Sequence, residues 1–208
     1  MSTHALPRLI ALPLLALAVL SSVGCGGAEA RKSSHIEKGQ AYLVAGNVEK
    51  ARVEFQNALQ IAPKDAQARF EMGVIEEKLA KPREAAQFYQ GAIDIDPDHQ
   101  GARTNLARLY LFARQPDRAL ELAGPALAKH PDDAELLTVR AAARLQLKDS
   151  SGAEQDARRA VDLAPTNADA VAVLAGIYSS AGAGDKAQTL LEQTIQRVPG
   201  NIDLRLAL

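Results

Sequence analysis

Pro63, Pro97, Pro131, Pro165 and Pro199 follow one another at a constant spacing of 34 residues. An alanine keeps the same step at Ala51, Ala85, Ala119, Ala153 and Ala187, and seven residues behind the first four of these come Ala58, Ala92, Ala126 and Ala160. A further series, small throughout, runs Gly39, Gly73, Ala107, Ala141 and Ala175. A fixed period of this length marks stacked supersecondary units, each too small to bury its apolar face alone. Such a chain does not close into a single globule. It builds long surfaces more readily than enclosed active sites.

Within one period the apolar residues have helical spacing, interrupted twice. In the stretch 66–99, Phe70, Val74 and Leu79 mark a first helix, with Met72, Gly73 and Ile75 beside them. Lys81-Pro82 breaks that helix, and Pro82 suits the first turn of the next. Phe88, Ala92 and Ile95 form the apolar face of the second helix, which stops at Asp96-Pro97-Asp98. Gly46-Asn47, Gln115-Pro116, Lys148-Asp149 and the stretch 182–185 punctuate the other periods. The chain is therefore all-α, built of antiparallel helix pairs over 32–65, 66–99, 100–133, 134–167 and 168–201. An aromatic content of 4% with no tryptophan agrees with closely packed helices. The small residues allow the two helices of a pair to approach, and each proline ends a second helix because it disfavours helical geometry in the residue before it. Tyr42, Tyr110 and Tyr178 sit one turn after the small residue, where they can fill space between neighbouring pairs.

These small, aromatic, alanine and proline positions resemble the tetratricopeptide repeat. The likeness covers 32–201, with residues 202–208 beginning a sixth unit. It departs from the pattern at Glu76 and Arg144, which replace the tyrosine, at Lys38 and Arg140, which replace apolar residues, and in lacking tryptophan. The resemblance implies an α-solenoid that coils as a right-handed superhelix and binds protein or peptide partners in a concave groove lined by first helices. By repeat position the groove residues are Gln40, Val44, Phe70, Val74 and Glu77, then Thr104, Asn105, Arg108, Thr138 and Ala142, with Leu43, Lys78, Leu111, Leu145 and Gln146 nearby. Thr104 is expected to be exposed there. Ile36 and Gln40 stand where chaperone-binding relatives carry their carboxylate clamp, so chaperone tails are not the expected ligand.

The first 24 residues are of another kind. Arg8 is followed by an uncharged, largely apolar run from Leu9 to Leu20, broken by Pro13. It is too short to span a bilayer comfortably and reads as a signal peptide. Cys25, the only cysteine, has no internal disulfide partner. Ser22-Val23-Gly24-Cys25 resembles the lipobox of bacterial lipoproteins, although serine replaces the usual leucine. The resemblance implies cleavage before Cys25 and lipidation of its thiol. Gly26, in place of aspartate, implies the periplasmic face of the outer membrane. Residues 25–31 then read as a short flexible linker. A soluble periplasmic protein cut after Ala30 is the alternative, since Ala28-Glu29-Ala30 has the small-x-small form.

The sequence offers no catalytic constellation. His4, His35, His99 and His130 do not converge, and His99 and His130 flank proline turns without ligand-type neighbours. No cofactor, metal or small-molecule substrate is expected, and a formal net charge of −1 gives no footprint for nucleic acid. The expected function is a non-enzymatic scaffold in an envelope assembly, most like the lipoproteins of exopolysaccharide export and protein sorting, which the run from Ala51 to Gln60 resembles. Pilus or outer-membrane protein assembly, or a recruiting part of a larger enzyme, are the alternatives. Ile202, Leu204, Leu206 and Leu208 leave an apolar stub and an uncovered fifth pair, which reads as a chain that continues or docks.

Overall fold

The structure, a computed structural model, describes residues 20–207, with side chains from 27 to 206 apart from Asp203. Most of the expected signal peptide, the Cys25 side chain and Leu208 lie outside the described residues. The chain divides into two compact units between Pro63 and Lys64. The first holds α1 (Leu20–Val44) and α2 (Val48–Ile61). The second holds α3 (Ala66–Lys78), α4 (Pro82–Ile95), α5 (Gln100–Phe112), α6 (Pro116–Lys129) and α7 (Ala134–Gln146). It continues through α8 (Ser150–Leu163), α9 (Ala168–Ser180), α10 (Gly184–Arg197) and α11 (Ile202–Ala207). No strand occurs among the described residues. The fold is an all-α stack of consecutive helix pairs, of the tetratricopeptide solenoid type.

Each pair is locked by its small residues. Gly39, Gly73, Ala107, Ala141 and Ala175 are buried on the first helices, and Ala51, Ala58, Ala85, Ala92, Ala119, Ala126, Ala153, Ala160 and Ala187 on the second. The glycines do more than permit approach. A Cβ on Gly39 would lie 2.6 Å from the Phe55 ring, and one on Gly73 would collide with the Tyr89 ring. Thus Tyr89, wholly buried, fills the centre of the second pair, while Phe88 and Ile95, read as its apolar face, are only half-buried. Where the first helix carries alanine, the second carries Ala123, Ala157 or Leu191 at the equivalent place, all buried.

The turn inside every pair has one geometry. The amide of Asn47 donates to the Tyr42 carbonyl at 2.8 Å, and Lys81 to Glu76, Gln115 to Tyr110, Asp149 to Arg144 and Ala183 to Tyr178 repeat it at 2.8–2.9 Å. This bond skips back over a left-handed residue that ends the helix. Gly46 and Gly182 supply that residue at φ 73° and 74°, but Ala80, Arg114 and Lys148 adopt it without being glycine, at φ 58°, 59° and 65°. Second turns are closed by side-chain caps: Asp65, His99, Asp133 and Asn167 accept from amides at the start of α3, α5, α7 and α9.

Two expectations need correction, and a third gains a detail. Residues 26–31 are not a flexible linker; they continue α1, as suits Ala28, Glu29, Ala30 and Arg31, and Lys32 pairs with Glu29 at 2.7 Å. Tyr110 and Tyr178 pack against clusters that join neighbouring pairs, as expected, but with Tyr42 they stay half-buried and carry a cation from eight residues on: Lys50 at 5.6 Å, Arg118 at 4.0 Å and Lys186 at 5.9 Å from the ring centre. Nor is the fifth pair bare. Leu204 of α11 is buried in the cluster of Val171, Ala175, Ala187 and Leu191, while Ile202 and Leu206 stay exposed.

Candidate partner-binding groove

In the second unit α5 packs against α7, and α7 against α9, so first helices lie side by side along one face. Between them runs a hollow of about 610 Å³. Leu111 and Phe112 form one wall, Val139 and Ala142 the floor, and Ala172 and Val173 the far wall. A second hollow of about 570 Å³ lies on the other side of Phe112, against Ala80, Pro82 and Leu109. Phe112 thus stands between the two hollows with 84% of its surface exposed. A large aromatic ring left in water between apolar walls is a natural anchor for a partner's side chains.

The polar groups around the hollows are mostly engaged. Arg108 borders both and pairs with Asp169 across α7, its Nη2 lying 3.0 Å from Oδ2. Gln146 donates from Nε2 to the Leu111 carbonyl at 3.2 Å. Glu77 accepts a short hydrogen bond from the Tyr89 hydroxyl, which in turn accepts from Asn105 Nδ2 at 3.1 Å. Burial, reinforced by the Glu77 bond, raises the Tyr89 phenol above its ordinary range. Arg114, at the left-handed turn position, lines the first hollow and is exposed.

The sequence-derived groove residues divide accordingly. Arg108, Thr138 and Ala142 line the first hollow and Glu77 and Arg108 the second. Asn105 is turned towards Tyr89. Thr104 is not exposed: only 1% of it reaches solvent, and Phe70, at the same position one repeat earlier, packs against the core shared by α4 and α5. Thr138 is also buried, with Oγ1 donating to the Ala134 carbonyl at 2.7 Å. Phe70 packs its ring against Tyr89 and His99, at 5.8 and 4.9 Å between centres, and Val74 packs against the same core. Gln40 and Val44 are exposed on α1 in the first unit. Sequence reasoning missed Phe112, Arg114 and Asp169. The signal for Phe112 was available, since it occupies the repeat position of Val44, Lys78 and Gln146.

Elsewhere several ionisable groups have structural partners. Asp156 is buried and holds two arginines: Arg140 bidentately at 2.6 and 2.7 Å, and Arg144 at 2.8 Å. His35 lies 2.6 Å from Glu54, and His99 Nδ1 accepts from the Ala102 amide at 3.2 Å. Among the described residues no cluster of three or more histidines, cysteines and carboxylates could hold a metal. No described helix is long and apolar enough to cross a membrane.

Family models described as tetratricopeptide repeat match residues 78–143 and 144–208, and a second such model matches 36–99. The chain belongs to the tetratricopeptide-repeat family. No curated protein sequence matches it. Among solved structures of such repeats it resembles TTC0263, a thermophilic protein of Thermus thermophilus, with a TM-score of 0.73 at 22% identity, covering 84% of this chain and 95% of that one. MamA residues 41-end from Desulfovibrio magneticus align with a TM-score of 0.67 at 17% identity, covering 83% and 97%. PilW, described as a type IV pilus biogenesis factor, gives 0.72 at 18%, covering 82% and 79%. Tetratricopeptide-repeat proteins are in general scaffolds for protein and peptide partners.

Proposed function

We propose that this chain is a lipid-anchored, non-enzymatic scaffold of a bacterial cell envelope. In this reading the groove along α5, α7 and α9 docks a segment of a protein partner. The observation that carries the docking site is Phe112, exposed between two apolar hollows. The apolar leader and the lone Cys25 behind Ser22-Val23-Gly24 support the anchor, with the repeats facing the periplasm from the outer membrane. The run from Ala51 to Gln60, close behind that cysteine, supports exopolysaccharide export or a related sorting system as the assembly. The likeness to PilW favours pilus assembly as the second reading.

Fractionation of cells carrying Cys25→Ser tests the anchor. The wild-type protein should sediment with membranes and the variant should be released, because stable attachment requires more than one acyl chain on an intact anchor site. A variant that still sediments fully places the attachment elsewhere. Affinity capture from detergent-solubilised envelopes tests the groove: partners held by the wild type should be lost with Phe112→Ser. Equal recovery by both proteins would rule out this face.

A further inference from the structure

The charges left over at the two hollows are of opposite sign. Arg108 is neutralised by Asp169. Arg114 borders the first hollow, exposed and without an ion-pair partner among the described residues. Glu77 borders the second in the same condition: it accepts from the Tyr89 hydroxyl, but no cation among the described residues pairs with it. Phe112 stands between the two, 84% exposed. A segment of one sign would satisfy one of these charges and be repelled by the other. A face with opposite charges on either side of an exposed ring is instead complementary to itself. In a twofold pair each surface meets its own copy turned end for end. An axis beside Phe112 therefore lays the Glu77 side of one copy over the Arg114 side of the other, twice, and sets each ring against an apolar hollow of its partner. The location permits that approach. Glu77 lies in the last turn of α3, Ala80 and Pro82 at the turn into α4, Phe112 at the end of α5 and Arg114 in the turn that follows. All lie at or just beyond the ends of first helices, away from the groove floor at Val139 and Ala142. A formal net charge of −1 adds little repulsion between copies.

We infer that the occupant of this face is a second copy of the chain, paired about a twofold axis. Phe112 of each copy seats in an apolar hollow of the other, and Arg114 of each meets Glu77 of the other. This rests on the groove being the docking face and names its protein partner. Sedimentation equilibrium of the full chain reads the association, with reductant present so that Cys25 cannot bridge copies. The contact is small, so pairing belongs in the range of about 10 μM to 1 mM. Phe112→Ser should weaken it at least about tenfold. Arg114→Glu sets carboxylate against carboxylate and should weaken it about fivefold at low salt. Added salt should then weaken the wild-type pair but strengthen that of Arg114→Glu. Glu77→Arg should be impaired likewise, and an equimolar mixture of the two charge variants should pair as tightly as wild type, since each offers the sign the other lacks. Glu77→Arg gives up the Tyr89 bond, so its melting temperature is measured first; if it does not fold, the opposed salt responses decide. A wild-type chain monomeric at the top of the range, or pairing that survives Phe112→Ser, overturns the second copy. So do parallel salt responses, or folded charge variants that gain nothing on mixing. If envelope capture still depends on Phe112 in that case, the docking face stands with another occupant. If neither pairing nor capture depends on Phe112, both readings fall.

Discussion

Gly39 and Gly73 lack a Cβ at the place where Phe55 and Tyr89 lay their rings, and the later pairs exchange both members together. At Gly73 the neighbour that would have to yield is a ring with no exposed surface. Gly73→Ala should therefore cost about 1–3 kcal/mol through overpacking. In a Tyr89→Leu background, which copies the buried Ala175 and Leu191 of the last pair, the same change should add less than about 0.5 kcal/mol. Urea unfolding of the four proteins of this cycle measures both. Equal costs in the two backgrounds would show that Tyr89 is not what Gly73 accommodates. Tyr89 has a second consequence. Burial and the Glu77 bond keep its proton on in the folded chain. The unfolded chain releases that proton above the phenol's ordinary value of 10.0, so stability falls as pH rises beyond it. Tyr89→Phe should lose about 1 kcal/mol at neutral pH through its missing hydrogen bonds. It should then show a smaller drop than wild type between neutral pH and about pH 11. Identical alkaline losses would place the sensitivity in other groups.

At the scale of the helix pair, α7 and α8 replace an apolar contact by charge. Repeat three has Leu106, Tyr110 and Leu122 where repeat four has Arg140, Arg144 and Asp156. Taken singly along the sequence, Arg140 and Arg144 look like defects that loosen the unit. The structure shows a joint substitution, with one buried carboxylate gathering both guanidinium groups across the helix interface. Removing the carboxylate alone leaves two cations together, so Asp156→Ala should destabilise by about 2–4 kcal/mol. Arg140→Leu, Arg144→Tyr and Asp156→Leu combined should fall within about 1 kcal/mol of wild type or exceed it, since well-packed apolar groups replace such networks without loss. A neutral Asp156→Ala in thermal melts would contradict this account. The same example marks where sequence reading stops. The 34-residue step makes helix pairs, turns and small contact residues legible, because steric demands recur at every unit. A charge at an apolar position acquires meaning only when its partner, 12 or 16 residues away, is placed beside it. Thr104 shows the converse: a polar residue on a column that also carries Phe70 reads as groove surface along the sequence, and it is core.

Across the whole molecule the period fixes where helices begin and end, but individual units differ in how they are filled. The candidate groove was legible as a face of first helices. Its working residues were less so: Phe112 closes α5, Arg114 sits in a turn, and Asp169 opens α9, all at helix margins where periodicity says least about direction. The matched fillings have a consequence for how such a chain can change. Gly39 and Gly73 are each fitted to an aromatic ring on the second helix of their own pair, while Ala107, Ala141 and Ala175 stand at the same position opposite smaller residues. A crossover falling inside a pair would set a Cβ against a tyrosine ring, or leave a glycine facing an alanine and an empty space. Breakpoints at the proline turns carry each matched couple across intact. The unit of inheritance, for recombination as for engineering, is the pair, never the single helix.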